Sequence, residues 1–461
     1  MGYLDIINIV FGAIFTVFSL IVVHFVVFAI VGLFAKKKFP HTDTKLKYGI
    51  IIPARNEESV VGNLIDSVRK NNYPQDKLDI FVIAHNCSDD TASVAREHGA
   101  IVYEYNNPAE NTMGYAFKYL FERIKEDYGI LSYDGYFLFN ADNILDVNYF
   151  DKMNDAFVAR DRKSVITSFR NSKNFGENLI SACYGLYFMY GCHFESRGRS
   201  VLGCSTRVQG TGYVINSEIV KDGWQYVTLT EDWEFTADRV LKGEKIYYCD
   251  EAVFYDEQPT SFRVMFRQRT RWAKGHLLVF LTRFRDMMKG LFTPKSKGGV
   301  RNKGSAYDIS VNILPVFVIL AVATLLQVVC LMLAPLFGDY SFGDVMLGYL
   351  KQQIPGWIIS YATVLLATVV LFIVEHKRIK NVNPFLKILA AIVWPIFLAL
   401  SGPCELVALF WRNLGWKPIP HKNTTDFDAL NEAETAVIEA SAPADVSVAI
   451  EAEPVADSVN A

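Results

Sequence analysis

Tyr48-Gly49-Ile50-Ile51-Ile52-Pro53-Ala54-Arg55-Asn56-Glu57-Glu58 is the stretch that decides the fold. Tyr48 to Ile52 is apolar without polar alternation, the pattern of a strand buried on both faces, and Pro53 ends it because proline cannot donate to a strand ladder. From Glu57 to Arg69 the period changes. Val60, Val61, Leu64, Ile65 and Val68 fall on one side of a helix. The alternation continues with strands over Asp79–Ala84, Ala100–Tyr103 and Tyr136–Phe139, and helices over Asp89–Glu97 and Gly114–Ile124. Strands and helices in this rhythm predict an α/β domain with a parallel sheet covered on both faces. In such sheets ligands sit beyond the carboxyl ends of the strands. Three polar loops occupy those ends: Pro53 to Glu58, Ala84 to Thr91, and Asn140-Ala141-Asp142-Asn143.

The rest of the chain has a different texture. Of 461 residues, 51% are hydrophobic, and they are bunched rather than spread, which separates membrane spans from a soluble part with its own core. Ile6 to Phe34 holds only His24 as a titratable residue and is too long for the apolar region of a signal peptide, so residues 1–36 are expected to be an uncleaved transmembrane helix. Lys36-Lys37-Lys38, Lys45 and Lys47 follow at once, which places residues 44–260 in the cytosol of a multi-pass protein, at the plasma membrane. Ile309–Phe337, Trp357–Val374 and Phe385–Phe410, within residues 306–411, are each long enough to span. The last contains Pro395 and Ser401-Gly402-Pro403; it either crosses once or folds back as a broken helix.

A net charge of -3 gives no reason to expect a nucleic-acid partner. The seven cysteines lack CxxC spacing and read as reduced core residues. Residues 423–461 carry nine acids and no Lys or Arg, so a disordered acidic tail is expected there.

Two further motifs bear on chemistry. Thr230-Glu231-Asp232 precedes a helical pattern; acids there favour the positive end of a helix dipole, and a helix start can also aim a carboxylate into a pocket. Residues 261–292 form a mostly basic amphipathic stretch suited to a membrane surface, and it carries Gln268-Arg269-Thr270-Arg271-Trp272.

These motifs, together with the three loops, Gly114-Tyr115-Ala116 and Gly210-Thr211-Gly212, occur in an order that resembles the family 2 glycosyltransferases, in particular the membrane-integrated hyaluronan, cellulose and poly-N-acetylglucosamine synthases. The resemblance covers about Tyr48 to Leu278. It implies a Rossmann-like GT-A domain inserted between transmembrane helices, a nucleoside-diphosphate sugar donor, usually UDP-linked, and inversion at the anomeric carbon. By resemblance Asp232 is the catalytic base, a task that suits a carboxylate, ionised at neutral pH yet able to take a proton from the attacking hydroxyl. Pro53, Arg55, Glu57, Asp89, Asp142 and Arg271 then bind the donor, while Trp272, Gln268 and Glu231 meet the acceptor. An aromatic face suits a sugar ring and a guanidinium suits a diphosphate.

Asp142 is the expected ligand of a divalent cation, Mg²⁺ or Mn²⁺, that neutralises the leaving diphosphate. The family usually has Asp-x-Asp at this point. Here Asn140 takes the first position, and an Asn oxygen is a poorer ligand than a carboxylate. His85 and Met113 are two more departures, at positions where relatives commonly have an acidic residue and a Lys. Trp416-Lys417-Pro418-Ile419-Pro420-His421-Lys422 looks similar to the loop that closes over the nucleotide in related synthases, and equally to a basic membrane anchor. The reading is a processive synthase that elongates a β-linked surface polysaccharide, with a membrane-lipid environment and, given its few helices, an accessory subunit for export. A lipid glycosyltransferase that adds one sugar to a membrane lipid, and a non-catalytic scaffold subunit, are the alternatives; intact Asp142, Asp232 and Arg271 argue against the scaffold.

Overall fold

The computed structural model describes residues 2–293, 302–379, 382–411, 419, 421 and 423–430. Eight strands form one sheet in the order β3-β2-β1-β4-β7-β6-β8-β5: β1 (Tyr48–Ala54), β2 (Leu78–His85), β3 (Ile101–Tyr105), β4 (Gly135–Leu138), β5 (Ile144–Leu145), β6 (Val165–Ser172), β7 (Tyr213–Asn216) and β8 (Ile246–Asp256). β1 lies at the centre of a parallel half, with Tyr48 opposite Leu78 on one side and Gly135 on the other. The other half departs from the expected parallel sheet. β7 runs antiparallel to both β4 and β6, so the sheet is mixed. The alternation in the first 140 residues could not report this, because β7 belongs to a later segment that enters the sheet between β4 and β6.

The unbroken apolar run of β1 has its explanation in the two cores. Ile50 and Ile52 pack with α3 (Val61–Arg69) on one face, whereas Ile51 packs on the other. Burial of each such side chain contributes roughly 1.5–3 kcal/mol. α4 (Thr91–Glu97), α5 (Met113–Asp127) and α6 (Tyr149–Val158) complete the layers beside the sheet.

Before the sheet come α1 (Tyr3–Val22) and α2 (His24–Phe34), broken only at Val23. Between β6 and β7 lie α7 (Leu179–Tyr190), a π-helical turn at Gly191–Ser196 and α8 (Arg197–Val201), and between β7 and β8 lies α9 (Glu231–Leu241). After β8 come α10 (Phe262–Phe292), α11 (Lys303–Ile313), α12 (Val316–Met332), α13 (Phe342–Val374), α14 (Pro384–Ala399) and α15 (Ser401–Phe410). Among the described residues four stretches are long and apolar enough to cross a membrane, Tyr3–Phe34, Val316–Leu336, Phe342–Val374 and Pro384–Phe410. At 1.5 Å per residue, 20 residues already span a hydrocarbon core of roughly 30 Å.

Buried ion pairs join these helices to the domain. Arg197 donates to Asp250 on β8 and, at 2.7 Å, to Glu375 at the end of α13, while Arg378 donates to the Asp250 carbonyl at 2.8 Å. Arg199 donates to Asp308 of α11 at 2.7 Å, and His24 of α2 lies 3.1 Å from the same carboxylate. α2 itself lies on α8 so closely that a Cβ at Gly198 would sit 2.1 Å from the Phe28 carbonyl oxygen, so only glycine permits this approach.

The last apolar segment comprises α14 and α15, separated at Leu400. α15 runs beside α10: Arg269 donates to the Phe397 carbonyl at 2.7 Å and to the Ser401 hydroxyl, and Lys274 to the Ala408 carbonyl at 3.1 Å. Arg378 before it and His421 after it both touch the α/β domain. The tail, expected to be disordered from Asn423, instead packs on the domain to Leu430, with Phe427 buried and Lys70 bonded to Asp428 at 2.5 Å. Short polar contacts and one buried aromatic hold this piece, a signal too brief for composition to reveal. Trp416, Lys417, Pro418, Pro420, Lys422 and residues 431–461 lie outside the described residues.

Candidate active site

The loops after β1, β2 and β4 meet at the carboxyl edge of the sheet, where the fold rule places a ligand. Their shape depends on two asparagines with positive φ, Asn56 (58°) and Asn86 (55°), a conformation Asn tolerates better than most residues. Asn56 Oδ1 accepts from Ser88 N at 2.8 Å, and Asn86 Oδ1 from Asn107 N at 2.7 Å, so each turn is tied to its neighbour. A cavity of about 130 Å³ opens there, lined by Pro53, Arg55, Glu57, His85, Asn140, Asp142 and His421 among others.

Asp89 is not among its lining residues. Its carboxylate accepts from the backbone N–H groups of Glu58 and Thr91, both at 3.2 Å, and so braces the first loop against the start of α4.

A second cavity, about 290 Å³, lies against it, lined by Glu231, Asp232, Trp272, Arg170, Tyr187 and Trp394 with others. Met113, Asn140, Gln268 and Arg271 line both. Residues more than a hundred positions apart thus form one continuous site with a waist. α10 lies close to the turn that starts α9: a Cβ on Gly275 would lie 2.3 Å from Thr230 Cγ2. Arg271 then donates to the Leu229 carbonyl at 2.9 Å, beside Glu231 and Asp232.

Both carboxyls of this pair are pushed up from the usual range by burial, and Glu231 further by the charge of Asp232; Arg271 pulls both back down. A carboxylate with a raised pKa at a helix start is a competent proton acceptor. Trp272 stands in an aromatic cage, its ring centroid 6.1 Å from Tyr184, 6.2 Å from Tyr187 and 6.1 Å from Phe188. Gln268 Oε1 accepts from Tyr184 OH at 2.7 Å, which orients its amide.

At the waist, Asn140 Oδ1 is buried with no hydrogen-bond partner. The Asp142 carboxylate, which accepts from Glu257 N at 2.8 Å, lines the smaller cavity with it. An orphaned amide oxygen beside a carboxylate is a hard-oxygen donor set, and it fits a small divalent cation that takes its other ligands from phosphate. His85 Nε2 lies 2.7 Å from the Glu110 carbonyl, its ring stacks on Tyr105 at 5.5 Å, and burial lowers its pKa, so this departure places a neutral imidazole in the smaller cavity.

Sequence reading missed Arg170 and the aromatic wall of Tyr187, Phe188, Tyr190 and Trp394. Arg170 is held by Asp256, at 2.7 Å from Nε, and its guanidinium carbon lies 3.5 Å from the Phe188 ring centroid. The only available signal was the density of aromatics between Tyr184 and Tyr190, which also fits a buried helix.

Residues 46–275 match the family described as glycosyltransferase like family 2. This domain belongs to that family. The chain shares this domain with proteins named as glycosyltransferases. It is 27% identical to a probable glycosyltransferase of Bacillus subtilis over 248 residues, 52% of this chain and 58% of that one. A shorter stretch of 61 residues, 13% of this chain and 16% of the other, is 41% identical to 4,4'-diaponeurosporenoate glycosyltransferase of Staphylococcus aureus. The chain spans little more than half the length of the first curated relatives it matches. Its fold is shared with a mannosyltransferase of Pyrobaculum calidifontis solved in complex with GDP-Man and Mn²⁺, with a TM-score of 0.55 at 12% identity, covering 87% of this chain and 99% of that one. The glycosyltransferase domain therefore has the GT-A architecture, with one long apolar segment before it and three after it.

Proposed function

We propose that the chain is a membrane-bound inverting glycosyltransferase that takes a nucleoside-diphosphate sugar, a UDP-sugar in the first instance, and extends a β-linked saccharide at the cytosolic face of the plasma membrane. The observation that carries this is the junction of two cavities at Asn140, Met113, Gln268 and Arg271, with Asp232 on one side only. The nucleotide fits the smaller cavity, among Pro53, Arg55, Glu57 and His85. The diphosphate then reaches the waist, where Arg271 supplies positive charge to the leaving group. The acceptor hydroxyl occupies the larger cavity over Trp272, held by Gln268 and the aromatic cage. Asp232 takes its proton as the new bond to the anomeric carbon forms and the bond to the diphosphate breaks. Asp142, with Asn140 beside it, is suited to hold a divalent cation, which when bound neutralises developing charge on the diphosphate.

A polymer is favoured by Gln268 and Arg271 at the waist with Trp272 beside them in the larger cavity. The likeness over 61 residues to a 4,4'-diaponeurosporenoate glycosyltransferase supports the second reading, transfer of one sugar to a membrane lipid. The test is radiolabel incorporation by the purified full chain, offered several UDP- and GDP-sugars with Mg²⁺ or Mn²⁺, beside an Asp232→Asn control. A high-mass ladder absent from the control supports the synthase. A single lipid-soluble product selects the second reading, and no turnover of any donor defeats both.

A further inference from the structure

The larger cavity extends past the groups the transfer reaction uses. Its wall follows the chain from Tyr187 and Phe188, which cage Trp272, to Gly191 and Glu195 in the π-helical turn. Four to eight residues at 1.5 Å per residue amount to roughly 6–12 Å, more than one pyranose ring on Trp272 would fill. π-helical turns are uncommon and concentrate at functional sites, because the extra residue re-aims the side chains that follow.

Three side chains meet there. Arg207 Nη1 donates to Glu195 Oε2 at 2.6 Å, and a Cβ on Gly191 would lie 3.4 Å from Gln209 Nε2 and 3.6 Å from Arg207 Nη2. They adjoin the reacting groups: the Arg207 guanidinium lies 5.4 Å from the Trp233 ring centroid, and the position of a Cβ on Gly210, next to Gln209, is 3.6 Å from Asp232 Oδ2.

The cluster also has unused hydrogen-bonding capacity. Gln209 Oε1 is buried and without a partner, and Glu195 accepts both of its arginine bonds, from Arg199 and Arg207, on Oε2, leaving Oε1 open on a side chain 30% exposed. A buried polar atom with no partner is destabilising unless a ligand group fills it. The charges balance: Arg199 and Arg207 stand against Glu195 and Asp308, with contacts of 2.8, 2.6 and 2.7 Å. A neutral polyhydroxyl ligand suits this wall, whereas a phosphate headgroup has no uncompensated cation to meet.

We propose that Glu195, Arg207 and Gln209 form a second sugar subsite, so that the preferred acceptor carries at least two sugar units, the terminal one on Trp272 and the preceding one here. This rests on the glycosyltransferase reading above and narrows its acceptor to an oligosaccharide or a glycan already begun.

The experiment compares the full-length protein with Gln209→Ala and Glu195→Gln, each checked for an unchanged thermal midpoint in detergent. Three rates are measured with the active nucleotide-sugar: donor hydrolysis without acceptor, transfer to the methyl β-glycoside of the donor sugar, and transfer to the corresponding β-linked disaccharide. The native protein should prefer the disaccharide, and either variant should reduce the disaccharide-to-monosaccharide ratio of kcat/KM about tenfold, the value of one to two polar contacts. Equal use of both acceptors by the native protein would overturn the subsite, as would variants that slow all three rates in proportion. If the native protein neither hydrolyses nor transfers any donor, the glycosyltransferase reading fails and the subsite falls with it.

Discussion

His421 Nδ1 lies 2.8 Å from Glu57 Oε2, which brings the end of the described chain into the smaller cavity against the first loop of the sheet. Although burial opposes the charge, Asp142, Glu57 and Glu257 raise the His421 pKa to about 9, so the imidazole is cationic at neutral pH. It lines the smaller cavity and offsets the charge of a cluster of carboxylates there. His421→Ala should raise the donor KM roughly tenfold, as expected for one charge-assisted hydrogen bond, with kcat changed less. Because the folded pKa lies above the unfolded value of about 6.5, the pairing contributes fully below pH 6.5 and is lost as pH rises through 9. Donor affinity measured by calorimetry across pH 6–10 should fall over that window in the native protein and stay flat in the variant.

Asp232→Asn keeps the shape of the α9 start while removing the proton acceptor. Transfer should drop roughly 10²- to 10⁴-fold with UDP affinity retained. A variant that turns over at the native rate would remove Asp232 from the mechanism.

The acid limb of the rate profile carries a separate signature. Burial raises Asp232, and Arg271 lowers it, so activity should rise with pH above the ordinary carboxylate range. In Arg271→Gln the limb should move to still higher pH, because the lowering charge is gone, in addition to the loss of kcat. A limb that stays in place or moves down contradicts the assignment.

Asn140→Asp restores a carboxylate beside Asp142. If a divalent cation is held there, the Mn²⁺ concentration giving half-maximal transfer should fall about tenfold, and chelation with EDTA should abolish transfer until Mn²⁺ or Mg²⁺ is returned. Direct Mn²⁺ binding followed by electron paramagnetic resonance supplies a readout independent of turnover.

The Asp250 carboxylate, 1% exposed, joins Arg197 and Arg378 beside the end of α13. Burial opposes its ionisation, but the two guanidinium groups outweigh that and hold its pKa below the usual value. Asp250→Ala leaves Glu375 as the remaining carboxylate shared by the two buried arginines and should cost about 3–5 kcal/mol, read as a lowered thermal midpoint in detergent. Protonation has the same direction, so this contribution is present at neutral pH and lost as pH falls through the depressed pKa.

Much of this molecule is legible in its sequence because the controlling interactions are local. β1 and α3 follow from a run of apolar residues and a change of period, and the apolar stretches show themselves by length alone. Asp232, Arg271, Trp272 and Asp142 stood in motifs whose order pointed to family 2, and the structure collects them around one waist. Long-range contacts decided the rest. β7 runs against β4 because a distant segment enters the sheet there; α15 lies along α10, where Arg269 meets Phe397 and Ser401; Asp89 braces the first loop against the start of α4; and the aromatic wall and the Glu195, Arg207 and Gln209 cluster are assembled from three separate stretches of chain. Periodicity and motifs report what a residue requires from its own neighbours in sequence. The partners that close a cavity are set by packing, where burial energy, ion pairing and close backbone contact choose among arrangements that the local pattern leaves equal.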